Sequence, residues 1–78
     1  MDWHLHIDSE PAICGGRPRV KGTRLTVEFL LGLKLSGWSE AMIFDSYPHL
    51  REDDLRAVFA FAQSLVEEET FLPQPRVA

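Results

Sequence analysis

The chain has few of the features that stabilise or anchor small proteins from outside the core. Its 78 residues include one cysteine, Cys14, so no disulfide can form within the chain. A lone thiol is typical of a reducing compartment. No apolar stretch approaches the ~20 residues that cross a bilayer, and the first residues lack the basic start and apolar run of a secretory leader. We therefore expect a soluble, cytoplasmic protein.

Positive charge is also scarce, with 8 Lys and Arg against 12 Asp and Glu, a net charge of -4. This balance argues against a protein whose whole surface neutralises phosphates. The distribution is uneven, because half of the basic residues fall within positions 17–24, which contain no acid. These residues are Arg17, Arg19, Lys21 and Arg24. The acids gather at 52–54 and 67–69, at the two ends of the last predicted helix.

The length allows one domain with a small core. We expect residues 1–69 to form it, with an extended arm and basic loop over 1–26 and three helices over 27–69. Alternating side chains over 3–7 predict a short strand, and residues 18–25 predict a small hairpin around Gly22. Residues 70–78 contain two prolines and no apolar period, which favours a flexible tail.

Helix boundaries are signalled by short polar residues and glycine. Thr26 predicts a cap for a helix over 27–36, with Gly37 as its stop, and Ser39 predicts a cap for a second helix to about Ser46. A third helix is predicted from about Glu52 to about Glu68. Its predicted core face follows the i, i+3, i+4 spacing, with Phe61 just outside it. The members of that face are Leu55, Val58, Phe59, Ala62, Leu65 and Val66.

The segment 13–27, with its double glycine followed at fixed distance by Gly-Thr-Arg, closely resembles the domain of unknown function 433 family, regarded as VapB-like antitoxins. The matching positions extend over about residues 7–69. They include Asp8, Pro11, Ile13, Gly15, Gly16, Pro18, Gly22, Thr23, Arg24 and Val27. The resemblance implies a mainly α, three-helix, homeodomain-like helix-turn-helix domain with a short N-terminal β arm or hairpin. It also implies an antitoxin, often encoded beside a PIN-like ribonuclease toxin.

The basic loop is the first candidate site. Three cations on one short loop repel one another unless an anionic partner compensates, so Arg17, Arg19 and Lys21 favour a functional contact. Arg24 has an equally good structural interpretation, in which it anchors the loop on backbone carbonyls or a helix carboxylate. The anionic partner is either DNA phosphate or the acidic, metal-binding active site of a PIN-like nuclease, which an inserted arginine would neutralise.

The predicted third helix is a weaker candidate for reading DNA. On its solvent face, Arg56 and Gln63 suit base or phosphate contacts, and so does Ser64. Acidic residues share that face and would repel phosphate. We therefore interpret it mainly as a solvated surface.

Catalytic and metal sites find little support in the sequence. His4, His6, Asp8 and Cys14 lack the second spaced pair that completes a tetrahedral metal set, so we expect no metal and no cofactor. Cys14 is interpreted as a small apolar side chain. No nucleophilic side chain lies in a sequence context that would pair it with a general base. We therefore expect that the protein is not an enzyme.

Apolar residues exceed what one helix face needs. Trp3, Phe29, Leu33 and Phe61 are predicted to form homodimer or partner contacts, with a fully internal core as the alternative. In the tail, Phe71, Leu72 and Arg76 are predicted to contact a partner. The leading hypothesis is an antitoxin that neutralises a PIN-like ribonuclease. The alternatives are a DNA-binding regulator without a toxin, and an orphan dimeric scaffold.

Overall fold

The computed structural model describes residues 1–69, and it contains three helices and a two-stranded antiparallel hairpin. The elements are β1 (Ile7–Asp8), β2 (Arg19–Val20), α1 (Val27–Leu35), α2 (Glu40–Ser46) and α3 (Glu52–Glu69), with 3-10 turns at Trp3–Leu5 and Cys14–Gly16. Ile7 pairs with Val20, and Asp8 with Arg19. The mainly α fold with an N-terminal hairpin is thereby confirmed. No helix within residues 1–69 is long and apolar enough to cross a membrane.

The predicted strand over 3–7 is wrong except at its end. Trp3–Leu5 forms one turn of 3-10 helix, capped by Asp2, whose carboxylate accepts a hydrogen bond from the His4 N–H at 3.1 Å. This turn directs Trp3 against Phe61 of α3, with ring centroids 4.7 Å apart. The alternation of apolar and polar residues therefore reflects a local cap and one long-range contact, and only Ile7–Asp8 is extended.

The starts of α1 and α2 confirm the predicted caps. Thr26 Oγ1 accepts a hydrogen bond from the Phe29 N–H at 3.0 Å, and Ser39 Oγ accepts one from the Met42 N–H at 3.2 Å. Each bond satisfies a backbone donor that has no partner within the helix. Gly37 ends α1 with φ at 96°. The N–H groups of Gly37 and Trp38 then donate to the carbonyls of Lys34 and Leu33, which is the Schellman arrangement.

The start of α3 is capped from within the helix. Arg51, at the cap position, has no short polar side chain to accept from the first turn. Instead, Asp54 Oδ2 accepts a hydrogen bond from the Arg51 N–H at 3.0 Å, and Oδ1 lies 3.0 Å from Nδ1 of His6. This is the reciprocal half of a capping box. One buried carboxylate therefore fixes where α3 begins and ties it to the N-terminal arm.

The environment of Asp54 favours its ionised form. Burial raises the pKa of this carboxyl, but the hydrogen bonds from the Arg51 backbone, from His6 and from the Arg51 side chain outweigh it, so that the pKa lies below its ordinary value of 3.8. The buried charge is therefore stabilised by donors on both sides of the helix start.

The core lies where the hairpin, α1, α2 and the first half of α3 meet. Its buried members are Ile7, Val20, Val27, Leu30, Ile43, Leu50, Leu55, Ala57 and Val58. The predicted α3 face is correct at Leu55 and Val58 and wrong further on, because Leu65 and Val66 are 43% and 42% exposed. Phe59 is also exposed, at 36%, whereas Phe61 packs against the core. In the second half of α3, Phe61 is therefore covered by the core, whereas Leu65 and Val66 stay largely exposed.

Candidate partner-binding surface

A second, smaller hairpin follows β2 and is closed by an isolated bridge between Arg19 and Thr26. Its tip, which we call the hairpin tip, lies at residues 21–24 and is fixed by hydrogen bonds from Thr23. Its hydroxyl donates to the Val20 carbonyl at 2.8 Å and accepts from the Leu25 N–H at 3.0 Å. The Val20 N–H donates to the Leu25 carbonyl, closing the turn. Gly22 has φ at 78°, a left-handed conformation that strains other residues. The Gly-Thr pair is thus needed to shape a tight turn, which exposes Lys21 and Arg24 on either side.

Arg19 is not part of the exposed basic surface, which corrects the prediction that it contacts a partner. Its side chain is 9% exposed, and its Nε lies 3.0 Å from Oδ1 of Asp8. Its Nη1 donates to the Thr23 carbonyl at 2.9 Å. The anchoring role considered for Arg24 therefore belongs to Arg19, which joins the paired strand to the hairpin tip.

Three cations of the loop remain on the surface. Lys21 and Arg24 are exposed and have no ion pair among residues 1–69, while Arg17 lies 3.2 Å from Glu28 with its side chain 67% exposed. The Cys14 thiol lies 3.6 Å from the Arg24 carbonyl, so the double-glycine loop packs beside the hairpin tip. We call Arg17, Lys21 and Arg24 the basic hairpin surface.

A cleft of about 340 Å³ opens between the hairpin tip and the connection from α2 to α3. Its walls are formed by Gly22, Thr23 and Leu25 on one side and by residues 46–50 on the other. Arg24 lies between two of these lining positions. The basic hairpin surface therefore adjoins a depression that can accept a protruding group of a partner.

The outer face of α3 is acidic, as the sequence indicates. Arg56 lies 3.9 Å from Asp53, and both side chains are about two-thirds exposed. Gln63 is exposed, but the Ser64 hydroxyl donates to the Phe61 carbonyl at 2.7 Å and is occupied within the helix. On the outer face of α3, only Arg56 and Gln63 are thus available to contact nucleic acid, and several carboxylates lie beside them.

Two of the predicted apolar contact residues are partly covered by the chain itself. Trp3 and Phe61 pack edge to face, and both lie against the core. Leu33 is half-buried, and Phe29 is 42% exposed with its ring edge-on to Tyr47 at 5.9 Å. Leu35, on the same helix, is 89% exposed. Phe71, Leu72 and Arg76 lie outside the described residues.

The two histidines near the N-terminus lie in different environments. His4 is exposed beside Asp2, with 2.9 Å between its Nδ1 and the carboxylate, whereas His6 is bound to Asp54. Over residues 1–69, no group of three or more His, Cys, Asp or Glu side chains is placed to hold a metal ion.

Comparisons with known proteins assign the class. The model of a family described as a protein of unknown function, DUF433, matches residues 7–62. The chain is therefore a member of the DUF433 family. The fold also resembles the crystal structure of a DUF433 member from Anabaena variabilis, with a TM-score of 0.74 and 29% sequence identity. The likeness covers 80% of this chain and 61% of the Anabaena chain. Among curated proteins, none matches this chain.

Proposed function

We propose that this chain is the antitoxin of a toxin-antitoxin pair and that it neutralises a PIN-like ribonuclease. The proposal rests on the basic hairpin surface, where Lys21 and Arg24 project from a turn whose backbone is held by Thr23 and Arg19. Cations without an acid nearby are well suited to carboxylates on a partner. The resemblance to antitoxins encoded beside PIN-like ribonucleases indicates which kind of partner carries those carboxylates.

The chemistry of inhibition follows from charge. A PIN-like nuclease holds a divalent metal ion with several carboxylates. These carboxylates repel one another until a cation binds between them. An arginine or lysine inserted from the hairpin satisfies those carboxylates through charge-assisted hydrogen bonds. It thereby displaces the metal ion and occupies the position of the RNA phosphate. The rigid turn reduces the entropy lost on binding.

Co-expression with the ribonuclease encoded beside this gene tests the proposal. Lys21→Glu with Arg24→Glu should abolish the relief of growth arrest and weaken binding at least about 100-fold, as expected for two charge reversals at a paired surface. Each single reversal, Lys21→Glu or Arg24→Glu, is also compared with Arg56→Glu, which changes the net charge by the same amount at an exposed side chain on α3. The control variant should bind like the unmodified chain.

Two results would contradict the proposal. One is a chain that neither binds the ribonuclease nor relieves arrest. The other is equal weakening by Arg56→Glu and by the hairpin substitutions, which would mean that net charge alone accounts for binding.

A second candidate function is DNA binding through the same cations, because Lys21 and Arg24 have no ion pair among residues 1–69 and are equally able to contact phosphate. Binding to the promoter of its own gene would then fall steeply with salt, with a slope set by the few phosphates contacted. No mobility shift at low salt, with or without the ribonuclease, would exclude it.

A further inference from the structure

The helix α1 presents one face to the core and a second face to solvent. Val27 and Leu30 are buried. On the opposite side lie residues that a helical wheel places around Gly32, which we call the Gly32 face. Its members are Glu28, Phe29, Gly32, Leu35 and Ser36. Leu35 and Phe29 are 89% and 42% exposed, so an apolar surface flanks the glycine on both sides.

Nothing within the described chain requires glycine at position 32. A Cβ built there would meet no atom within 4 Å, and the residue has ordinary helical geometry. Glycine within a helix is less favourable than alanine. Its effect here is to leave a flat place on the outer face of α1, where another backbone can approach closely.

Clefts lie on both sides of this flat place. One, of about 470 Å³, is lined by Phe29, Gly32, Leu33 and Ser36 together with Arg17, Thr26 and Glu28. The other, of about 670 Å³, is mainly apolar and lies between α1 and the exposed half of α3. Its apolar walls are Pro18, Val27, Leu31, Leu35, Phe61 and Leu65. Each cleft is open to a large side chain from outside.

We propose that a second copy of this chain covers the Gly32 face, with the two α1 helices antiparallel and crossing at Gly32. A two-fold axis at the crossing sets Phe29 of each copy level with Leu35 of the other. It brings Leu35 of one copy to the apolar cleft of the other, and Phe29 to the smaller cleft. A single register therefore fills both clefts twice, which is the self-complementarity that a two-fold interface requires.

In this arrangement, Arg17 supplies a charge complementary to the C-terminal end of the opposite α1. In the antiparallel arrangement, Glu28 comes level with Ser36 at the C-terminal end of the opposite α1. A carboxylate there is disfavoured by the helix dipole, but Arg17 lies 3.2 Å from Glu28 and brings a cation to the same place. The Arg17–Glu28 pair of one copy thus also places a cation near the C-terminal end of α1 in the other copy.

This assembly does not depend on the proposed antitoxin role. Lys21 and Arg24 lie on the hairpin and not on the Gly32 face, so a dimer leaves them free to contact a partner. The arrangement leaves Trp3 out of the seam, since it packs on Phe61 of its own chain, and it uses Phe61 only as a wall of the apolar cleft.

Sedimentation equilibrium of the full chain at increasing concentrations tests the interface. We expect a dimer of twice 8.9 kDa for the unmodified chain. Leu35→Glu should raise the dimer dissociation constant at least about 100-fold, because two buried leucines are lost for each dimer. Leu5→Glu is the matched control, since Leu5 is 68% exposed and lies outside the face. Circular dichroism should show both variants folded, because neither residue is in the core.

A cross-link gives an independent readout. In a Cys14→Ser background, Gly32→Cys places one thiol beside the two-fold axis, and oxidation should join two chains because the helices approach closely there. Leu5→Cys in the same background should remain monomeric. An unmodified chain that is monomeric up to about 1 mM would overturn the proposal. So would a Leu35→Glu variant that dimerises as tightly as the parent, or equal cross-linking at positions 32 and 5.

Discussion

Replacing Asp54 with alanine removes the one side chain that fixes the start of α3. The Asp54 side chain is 7% exposed. It accepts hydrogen bonds from the Arg51 N–H and from His6, both at 3.0 Å, and its Oδ2 lies 3.5 Å from Nε of Arg51. Asp54→Ala therefore leaves the Arg51 N–H at the helix start without an acceptor. The ring of His6, which is 18% exposed, also loses its acceptor.

The size of the loss follows from these contacts. Removing a helix cap costs about 0.5–2 kcal/mol, and a hydrogen bond to a charged group contributes about 1.5–3 kcal/mol. Because the two effects share one carboxylate, we expect Asp54→Ala to lower the free energy of unfolding by about 3 kcal/mol. A chain of this size has a stability of roughly 4–12 kcal/mol, so the melting temperature should fall by roughly 12–24 °C.

Urea unfolding followed by circular dichroism measures this loss, with Asp53→Ala as the matched control. Asp53 is the neighbouring acid in the same helical turn, but it is 64% exposed and lies 3.9 Å from Arg56. Its removal should cost less than about 1 kcal/mol. If Asp54→Ala is no more destabilising than Asp53→Ala, the assignment of Asp54 as the cap of α3 is wrong.

Acid provides a second check on the same residue. Since the pKa of Asp54 is lowered in the folded state, its contribution is complete above the ordinary value of 3.8 and is lost as the pH falls through the folded-state pKa. The difference in stability between the unmodified chain and Asp54→Ala should therefore be constant near neutral pH. It should narrow below about pH 4. A difference that does not change in acid would show that the ionised carboxylate is not what stabilises the helix start.

Three further substitutions test which side chains belong to the interior. Asp8→Ala should lower the free energy of unfolding by about 3–5 kcal/mol, because it leaves the buried Arg19 charge unpaired. If urea unfolding shows only the small loss typical of a surface ion pair, Asp8 does not neutralise a buried charge. Leu55→Ala should lower the free energy of unfolding by about 2–5 kcal/mol and Leu65→Ala by less than about 1 kcal/mol, since of these two leucines only Leu55 is buried. Equal losses of stability in thermal unfolding would mean that both side chains lie in the core.

Local chemistry made part of the fold predictable. Thr26 and Ser39 cap the helices that follow them because the hydroxyl and the backbone N–H that it accepts are three residues apart. Gly37 ends α1 for an equally local reason. In the double-glycine loop, Gly15 and Gly16 have φ angles of 65° and 81°, which glycine adopts more readily than other residues. These interactions are formed by near neighbours in the chain, so the sequence states them directly.

The candidate surface was only partly predictable. Four cations in residues 17–24 look alike in the sequence, yet Arg19 is buried on Asp8 while Lys21 and Arg24 are exposed. The difference depends on pairing between strands eleven residues apart. Likewise, Leu65 continues the helical spacing of Val58 but is 43% exposed, whereas Val58 is fully buried, and periodicity alone does not distinguish the two.

Three helices, the caps of α1 and α2, the basic segment and the family to which the chain belongs could be derived from the sequence, because each depends on composition, spacing or hydrogen bonds between near neighbours. Only the tertiary structure decided which loop cation is structural, that Trp3 packs on Phe61, that one carboxylate on α3 joins the helix to the arm, and which apolar residues stay uncovered. Those outcomes depend on contacts between distant segments, whose free energy is set by what lies opposite each side chain.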